Sequence, residues 1–552
     1  MCIALSEIVW PSEREPRSWS WSAWRSPFLI WIDGVEEGWA IPCLVAGFVA
    51  LWMAYLTIAY IGGDLHQDVL ETWTLGRSFD WGSSKHPPLM GWIARAWTSV
   101  FPLTNWSFNL LALSNSAVAL LIIDQIARQF VRGDKRLIVM LLLMLLPIYQ
   151  LHAQRFNANA VLLSTWPLAT WCFLRAFATR NAGWAIAAGT TAALAMLGKY
   201  YSVFLIASFV LATICHPERR AFFASRAPWI AAAAGLLTLV PHMHWLATTG
   251  AQPFAYALEH HSGKAFGPAA REAIGFLLAI GAMVAIPGLI WLRMAGSGVI
   301  GNVSRDISAM PSGPKLLLII SFGTVMLPAL TAAAMGTDMP PLWGLQGVFL
   351  FVIPLVCGAN YPVPRVLTVN LAATVIGIAV SATCIAAPLH ALYRNTHPLS
   401  EGRNYYQDAT AELTRRWHAL SDTALPAVGG DEGLAFAAAF YSPDHPIYEV
   451  RLLTPNVQPQ PGGRRPEQGW TALCYDTDIS CVRAVERAVA PERQVVRSNF
   501  VLQSTLLGRP GATQGFVALI VPPTTDEPAK PAPSRSIAED FSAKRRNGRS
   551  AN

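Results

Sequence analysis

The chain has 552 residues, of which 53% are hydrophobic and only 14% charged, whereas a soluble protein carries about 25% charged residues. That deficit, with a mean hydropathy of +0.36, excludes an ordinary soluble enzyme. The apolar residues fall in blocks of roughly 20, the length that spans a bilayer, so the net charge of +7 points to loops at a membrane surface rather than to nucleic-acid binding.

Residues 1–38 form a tail of Trp, Ser and Arg without the successive regions of a signal peptide. The first apolar span follows, and then a polar loop at 62–105 containing "DVLETWTLGRSFDWGSSKHPPL". After the second span, "RQFVRGDKR" sets Arg128, Arg132, Lys135 and Arg136 against one Asp. The positive-inside rule makes this loop cytoplasmic. Alternation then places the 1–38 tail inside and the 62–105 loop outside. Later spans alternate consistently, with basic "HPERR" inside and "PHMHW" at an outer end. The reading is a mainly α, polytopic membrane protein of about eleven helices over 39–390, in a bacterial inner membrane.

From 391 to 522 the composition turns soluble. "ATAELTRRWHALS" reads as an amphipathic helix, "PAVGGDEGLAFAAAFYSPDHPIYEV" as strand, Gly turn, helix and strand, and "GFVALIVPP" as a late strand. A small periplasmic α/β domain is expected. Cys474 and Cys481 lie in it, and outside the cytoplasm they would form a local disulfide. The Pro-rich, charged stretch 523–552 reads as a disordered tail.

The chemistry-bearing residues gather at the outer ends of the spans. Asp68 and Glu71 are three apart and share a face if helical. The two prolines of "HPPL" stiffen the backbone beside Lys85 and His86. Arg155, Asn157 and Asn159 open the fourth span, and Lys199 and Tyr200 sit at the fifth–sixth turn. Ionisable groups at membrane depth tend to mark function. The bland alternatives are a solvated loop, a snorkelling Lys199, and interfacial packing for His242, His244, His260 and His261.

Asp68, Glu71 and Trp73 followed by "KHPPL", then "RFNANAVLLSTWPL", "LGKYYSVFL", "HPERR" and "PHMHW" in that order, resemble the GT-C membrane glycosyltransferases. The branch is glycosyltransferase family 39 with its bacterial relatives acting on lipid A and lipopolysaccharide. The resemblance covers roughly residues 40–390, and "VGGDEGLAFAAAFYSPDHP" is similar to the periplasmic domain of bacterial members. It implies transfer of a sugar from a polyprenyl-phosphate donor to a lipid or glycan acceptor. Asp68 takes the position of the catalytic base and Glu71 an orienting role. Lys85, Lys199 and Arg155 match phosphate-binding positions, and His86, Asn157, Asn159 and Tyr200 contact substrate, the asparagines through sugar hydroxyls. Many relatives carry an acidic residue where this chain has Asn159. That leaves open a divalent metal, the one cofactor in question. A flippase for a lipid-linked substrate, a protein O-glycosyltransferase and an inactive relative are the competing readings.

Overall fold

The computed structural model describes residues 26–255, 262–296, 298–358, 360–398, 403–449, 468–490, 492 and 494–523. The expected disordered tail, beyond residue 523, and His260 and His261 lie outside them, as do residues 1–25 of the N-terminal tail.

Most apolar blocks of the sequence fold as helix, and seven or eight of these helices are long enough to span by themselves, against the about eleven helices expected. Among the described residues seven helices are long and apolar enough to cross a membrane: Ala40–Ala59, Asn105–Ala127, Val161–Thr179, Ala227–Thr249, Phe266–Ala295, Ser312–Met335 and Arg365–Thr396. An eighth span is broken, its halves Gly133–Met144 and Pro147–Gln154 meeting at 70°. Pro147 cannot continue the preceding helix, and Leu146 before it is extended. Ala182–Gly198 and Tyr200–Cys215 are shorter apolar helices. The block at 341–357 breaks at its prolines and glycines into two 3-10 turns, Pro341–Trp343 and Leu345–Gly347, and the helix Phe349–Cys357.

Lipid is as apolar as leucine, so helix association needs close packing of small residues rather than a hydrophobic drive. Gly189 supplies it. A Cβ there would lie 2.0 Å from the carbonyl oxygen of Ala231 and 2.9 Å from Gly235 N. Ala231 and Gly235, one turn apart, thus let the Ala182–Gly198 and Ala227–Thr249 helices touch along their backbones. At the end of the bundle remote from the polar loop, Arg136 is no loop cation. It donates to both oxygens of Asp124 at 2.5 and 2.6 Å and to Val35 O at 2.9 Å, and both side chains are 3% exposed.

The polar loop after the first span is itself folded into two short helices, Gln67–Gly76 and Leu89–Thr98. They cross at Gly76 and Gly91, where a Cβ on Gly76 would meet Gly91 O at 2.5 Å. Pro88 precedes the second helix at its N-cap, so the double proline starts a helix as well as barring one.

The C-terminal region forms one five-stranded sheet, in the order β2-β1-β3-β5-β4. β1 is Ala427–Gly430, β2 Ile447–Tyr448, β3 Trp470–Tyr475, β4 Val496–Leu506 and β5 Arg509–Val521. β1 pairs in parallel with β2 and β3, while β5 is antiparallel to both β3 and β4. The helix Glu432–Tyr441 connects β1 to β2, as its strand–turn–helix–strand pattern predicts. Cys474 on β3 is bonded to Cys481 at the start of the helix Ile479–Val489.

This domain sits on the loop helices. Asp64 accepts from Tyr406 N at 2.7 Å, and Tyr441 OH accepts from Leu65 N at 2.9 Å while donating to Asn105 at 2.8 Å. Arg77 donates to the carbonyls of His445 and Pro446, and Trp73 packs edge-on against Phe440.

Candidate active site

The Gln67–Gly76 helix is capped by His66, whose Nδ1 accepts from Asp68 N at 3.2 Å. That nitrogen is an acceptor only when deprotonated. Burial supplies the condition, pushing the His66 pKa down to about 4, with the charges of Arg155 and Arg403 adding to burial and Asp68 opposing. A neutral His66 therefore fixes the turn carrying Asp68. The Asp68 side chain is 37% exposed and can be reached from outside. Its Oδ2 accepts from Asn157 Nδ2 at 3.0 Å.

Asn157 ties the carboxylate to the next span. Its Oδ1 accepts from the backbone N–H groups of Asn159 and Ala160 at 3.0 and 2.9 Å, as a residue at a helix entry does. Asn159 Oδ1 in turn accepts from Lys199 Nζ at 2.6 Å. Lys199 caps the C-terminus of the Ala182–Gly198 helix, with its ammonium 4.2 Å from the centroid of the Trp343 ring. Burial depresses its pKa to about 7, and Asp68 opposes that fall. The base candidate and the cation are thus joined through two neutral amides.

A second cluster lies alongside. Lys85 Nζ sits 2.6 Å from Glu432 Oε2 and 3.4 Å from Glu71 Oε1, and His86 Nε2 lies 3.8 Å from Glu71 Oε2. Burial raises the Glu71 pKa to about 7, Asp68 and Glu432 adding to the rise and Lys85 opposing it. His86 falls to about 3, through burial and then the charges of Lys199 and Lys85. It is neutral at pH 7 and feels the charges of both lysines.

Tyr200 belongs to a third group, which pins the loop. Its hydroxyl bonds His242 Nε2 at 2.9 Å, and His242 Nδ1 bonds Trp81 O at 2.5 Å. Trp245 presses on the face of Gly82.

The sequence-derived residues therefore lie at one end of the bundle, but not all in the expected contacts. Glu71 bonds Lys85 rather than Asp68, Lys85 meets two carboxylates, and the asparagines hold Asp68 and Lys199. Arg155 is half-buried near His66. The residues missed are His66, Trp343 and Glu432. His66 had a signal, standing just before a helix start; Glu432 is 347 residues from Lys85 and had none. Among the described residues no group of three or more His, Cys, Asp or Glu could hold a metal, and Glu71 with His86 offers only two donors. A cavity of about 380 Å³ lined by Trp31, Cys43, Phe48 and Val375 includes none of these residues.

Residues 85–245 match the family described as dolichyl-phosphate-mannose-protein mannosyltransferase, a stretch that begins at Lys85 and so leaves out Asp68 and Glu71. Over 204 residues the chain is 26% identical to the lipid A galacturonosyltransferase RgtD of Rhizobium johnstonii. That match covers 37% of this chain and 42% of RgtD, so the chain spans less than half of that relative. Among solved structures, ArnT from Cupriavidus metallidurans in its apo state matches with a TM-score of 0.53 and 13% identity, over 88% of this chain and 98% of ArnT. The chain has the ArnT fold. ArnT bound to undecaprenyl phosphate matches with a TM-score of 0.51 and 14% identity, over 86% and 98% of the two chains. The family match and RgtD agree with the resemblance drawn from the motifs, and the solved structures agree on the fold.

Proposed function

We propose that this chain is a membrane glycosyltransferase that moves a sugar from a polyprenyl-phosphate carrier to lipid A or lipopolysaccharide on the periplasmic face. The observation that carries the reading is the Asp68–Asn157–Asn159–Lys199 chain of hydrogen bonds, which sets an exposed carboxylate and a buried cation on one rigid frame. RgtD's action on lipid A and the undecaprenyl phosphate bound by ArnT support the two substrate classes.

The chemistry follows from the groups present. Asp68 takes the proton of the acceptor hydroxyl as its oxygen bonds the anomeric carbon, and the carbon–oxygen bond to phosphate breaks. The departing phosphate oxygen is weakly basic and needs charge balance rather than a proton. One base and a cationic clamp therefore suffice, in contrast to the carboxylate pair of a glycosidase. Lys199 balances the phosphate charge as a point cation, with Arg155 nearby, and neutral His86, within the field of both lysines, hydrogen-bonds the donor. The soluble domain packs on the Gln67–Gly76 helix that carries Asp68.

The test is mass spectrometry of the envelope lipid and polysaccharide from wild type, a deletion strain, and the deletion carrying Asp68→Asn. A sugar mass lost in both mutants supports the reading and names the sugar. An intact lipid profile with a sugar lost from a protein instead moves the acceptor to protein, in keeping with the matched family's description. No loss anywhere refutes transfer.

A further inference from the structure

We propose that Glu432 of the soluble domain occupies the donor-phosphate position on Lys85, and that the lipid phosphate displaces it on binding. The inference rests on the donor reading above and extends it to a residue outside the membrane region.

One ammonium here faces two carboxylates. Lys85 Nζ is 2.6 Å from Glu432 and 3.4 Å from Glu71, so the triad carries a net negative charge when all three groups are ionised. An anion approaching it is repelled, at short range and in a partly buried setting where charges act strongly. The two carboxylates are not equally fixed. Glu71 is 13% exposed, on a helix under the soluble domain, while Glu432 is 52% exposed. Returning Glu432 to water restores its hydration, whereas moving Glu71 would strand a buried carboxylate. Glu432 is therefore the anion that can leave.

The exchange needs only a side chain to move. Glu432 lies in the first turn of the Glu432–Tyr441 helix, whose Asp431 cap accepts from Leu434 N at 3.0 Å, and its Oε1 accepts from Tyr448 OH at 3.1 Å. The helix stays docked through Trp73 and Phe440 while the carboxylate swings out. Lys85 and Lys199 both act electrostatically on His86, so an anion beside His86 feels both ammoniums. Lys199, held by the neutral oxygen of Asn159, attracts the phosphate, and Glu432 is the competitor on the other side. The protonation of Glu71, whose pKa lies near 7, completes the change by leaving the Lys85 charge uncancelled.

The experiment measures binding of undecaprenyl phosphate to the full-length protein in nanodiscs, for wild type, Glu432→Gln, Glu432→Asp and Lys85→Met. The expected result is binding about fivefold tighter in Glu432→Gln, the upper range for losing one partly exposed ionic competitor. Glu432→Asp, which keeps the charge on a shorter side chain, should fall between wild type and Glu432→Gln, and Lys85→Met should bind more weakly. A merely structural Glu432 would give equal or weaker binding in Glu432→Gln, which overturns the inference. Unchanged binding in Lys85→Met overturns it too, while leaving a phosphate site on Lys199. If no variant, wild type included, binds undecaprenyl phosphate, the donor reading falls and the inference with it.

Discussion

Asp68→Asn is the substitution that most directly probes the chemistry, because the structure separates its effect on reaction from its effect on folding. Asparagine keeps an oxygen that accepts from Asn157, and the His66 cap bonds the backbone N–H of residue 68 rather than its side chain. The folding cost is the loss of a negative charge in the first helical turn, below about 1 kcal/mol. The catalytic cost is larger. Removing a positioned general base lowers the rate about 10²- to 10⁴-fold, or about 3–5 kcal/mol of barrier. A second effect adds to it. Asp68 supports the protonated form of Lys199, so the variant holds less positive charge at the phosphate position and its donor KM rises. The assay is sugar transfer by purified protein in proteoliposomes from a polyprenyl-phosphate donor, with thermal unfolding measured in parallel. A variant that melts like wild type and keeps more than a tenth of its kcat would refute the assignment of Asp68 as base.

Donor affinity should fall as pH rises. Lys199 in the free site is half-protonated near pH 7 and gains proton affinity beside a phosphate. Binding is then strongest below pH 7 and weakens by up to about tenfold per unit above it; titrating undecaprenyl phosphate at pH 6 and 8.5 measures this, and a Lys199→Arg variant should have a flatter profile. Asn159→Asp should place a carboxylate against Lys199, raise the lysine's proton affinity and increase donor KM about tenfold, read in the same transfer assay. Arg136→Met leaves Asp124 buried alone and should cost about 3–5 kcal/mol; Asp124→Leu with Arg136→Met should regain most of the lost melting temperature. Cys474→Ser with Cys481→Ser opens a loop of sequence separation 7 and should destabilise the soluble domain by about 2–3 kcal/mol, visible as earlier proteolysis of that domain in the full-length protein.

Much of this architecture is written in local pattern. Most of the apolar blocks, the Gly turn before residue 432 and the late strand near residue 516 are decided by neighbours a few residues away, and these fold as their pattern predicts. Where tertiary contacts decide, the pattern misleads. Arg136 looks like one of four loop cations, yet a carboxylate twelve positions back buries it. The block at 341–357 has the composition of a span, but its prolines and glycines bend it so that Trp343 reaches Lys199. In the site, Lys199 stands out by its place between two apolar spans and Asp68 through the family resemblance, which also casts the amides between them as substrate contacts. Hydrogen-bond partners 89 and 40 residues apart are not encoded in any window.

Asn159 shows why the departure from an acidic residue at that position is consistent with catalysis rather than against it. A carboxylate 2.6 Å from Lys199 would cancel the ammonium charge and hold its proton firmly. The site would then offer the incoming phosphate a neutral pair, and the donor would have to compete with a buried carboxylate. The amide oxygen of Asn159 orients Lys199 at the same distance without supplying a charge. Its rigid seat comes from Asn157, which binds the backbone of Asn159 through its oxygen and Asp68 through its nitrogen. One residue therefore couples the aim of the base to the aim of the cation. The cluster at Lys85 is built the opposite way, with carboxylates on both sides of its ammonium. Of the two lysines, Lys199 is the one whose charge, when it is protonated, is met by a neutral amide oxygen, and Lys85 the one whose charge is shared with two carboxylates. On the proposed donor reading, the phosphate would meet Lys199 first and Lys85 second.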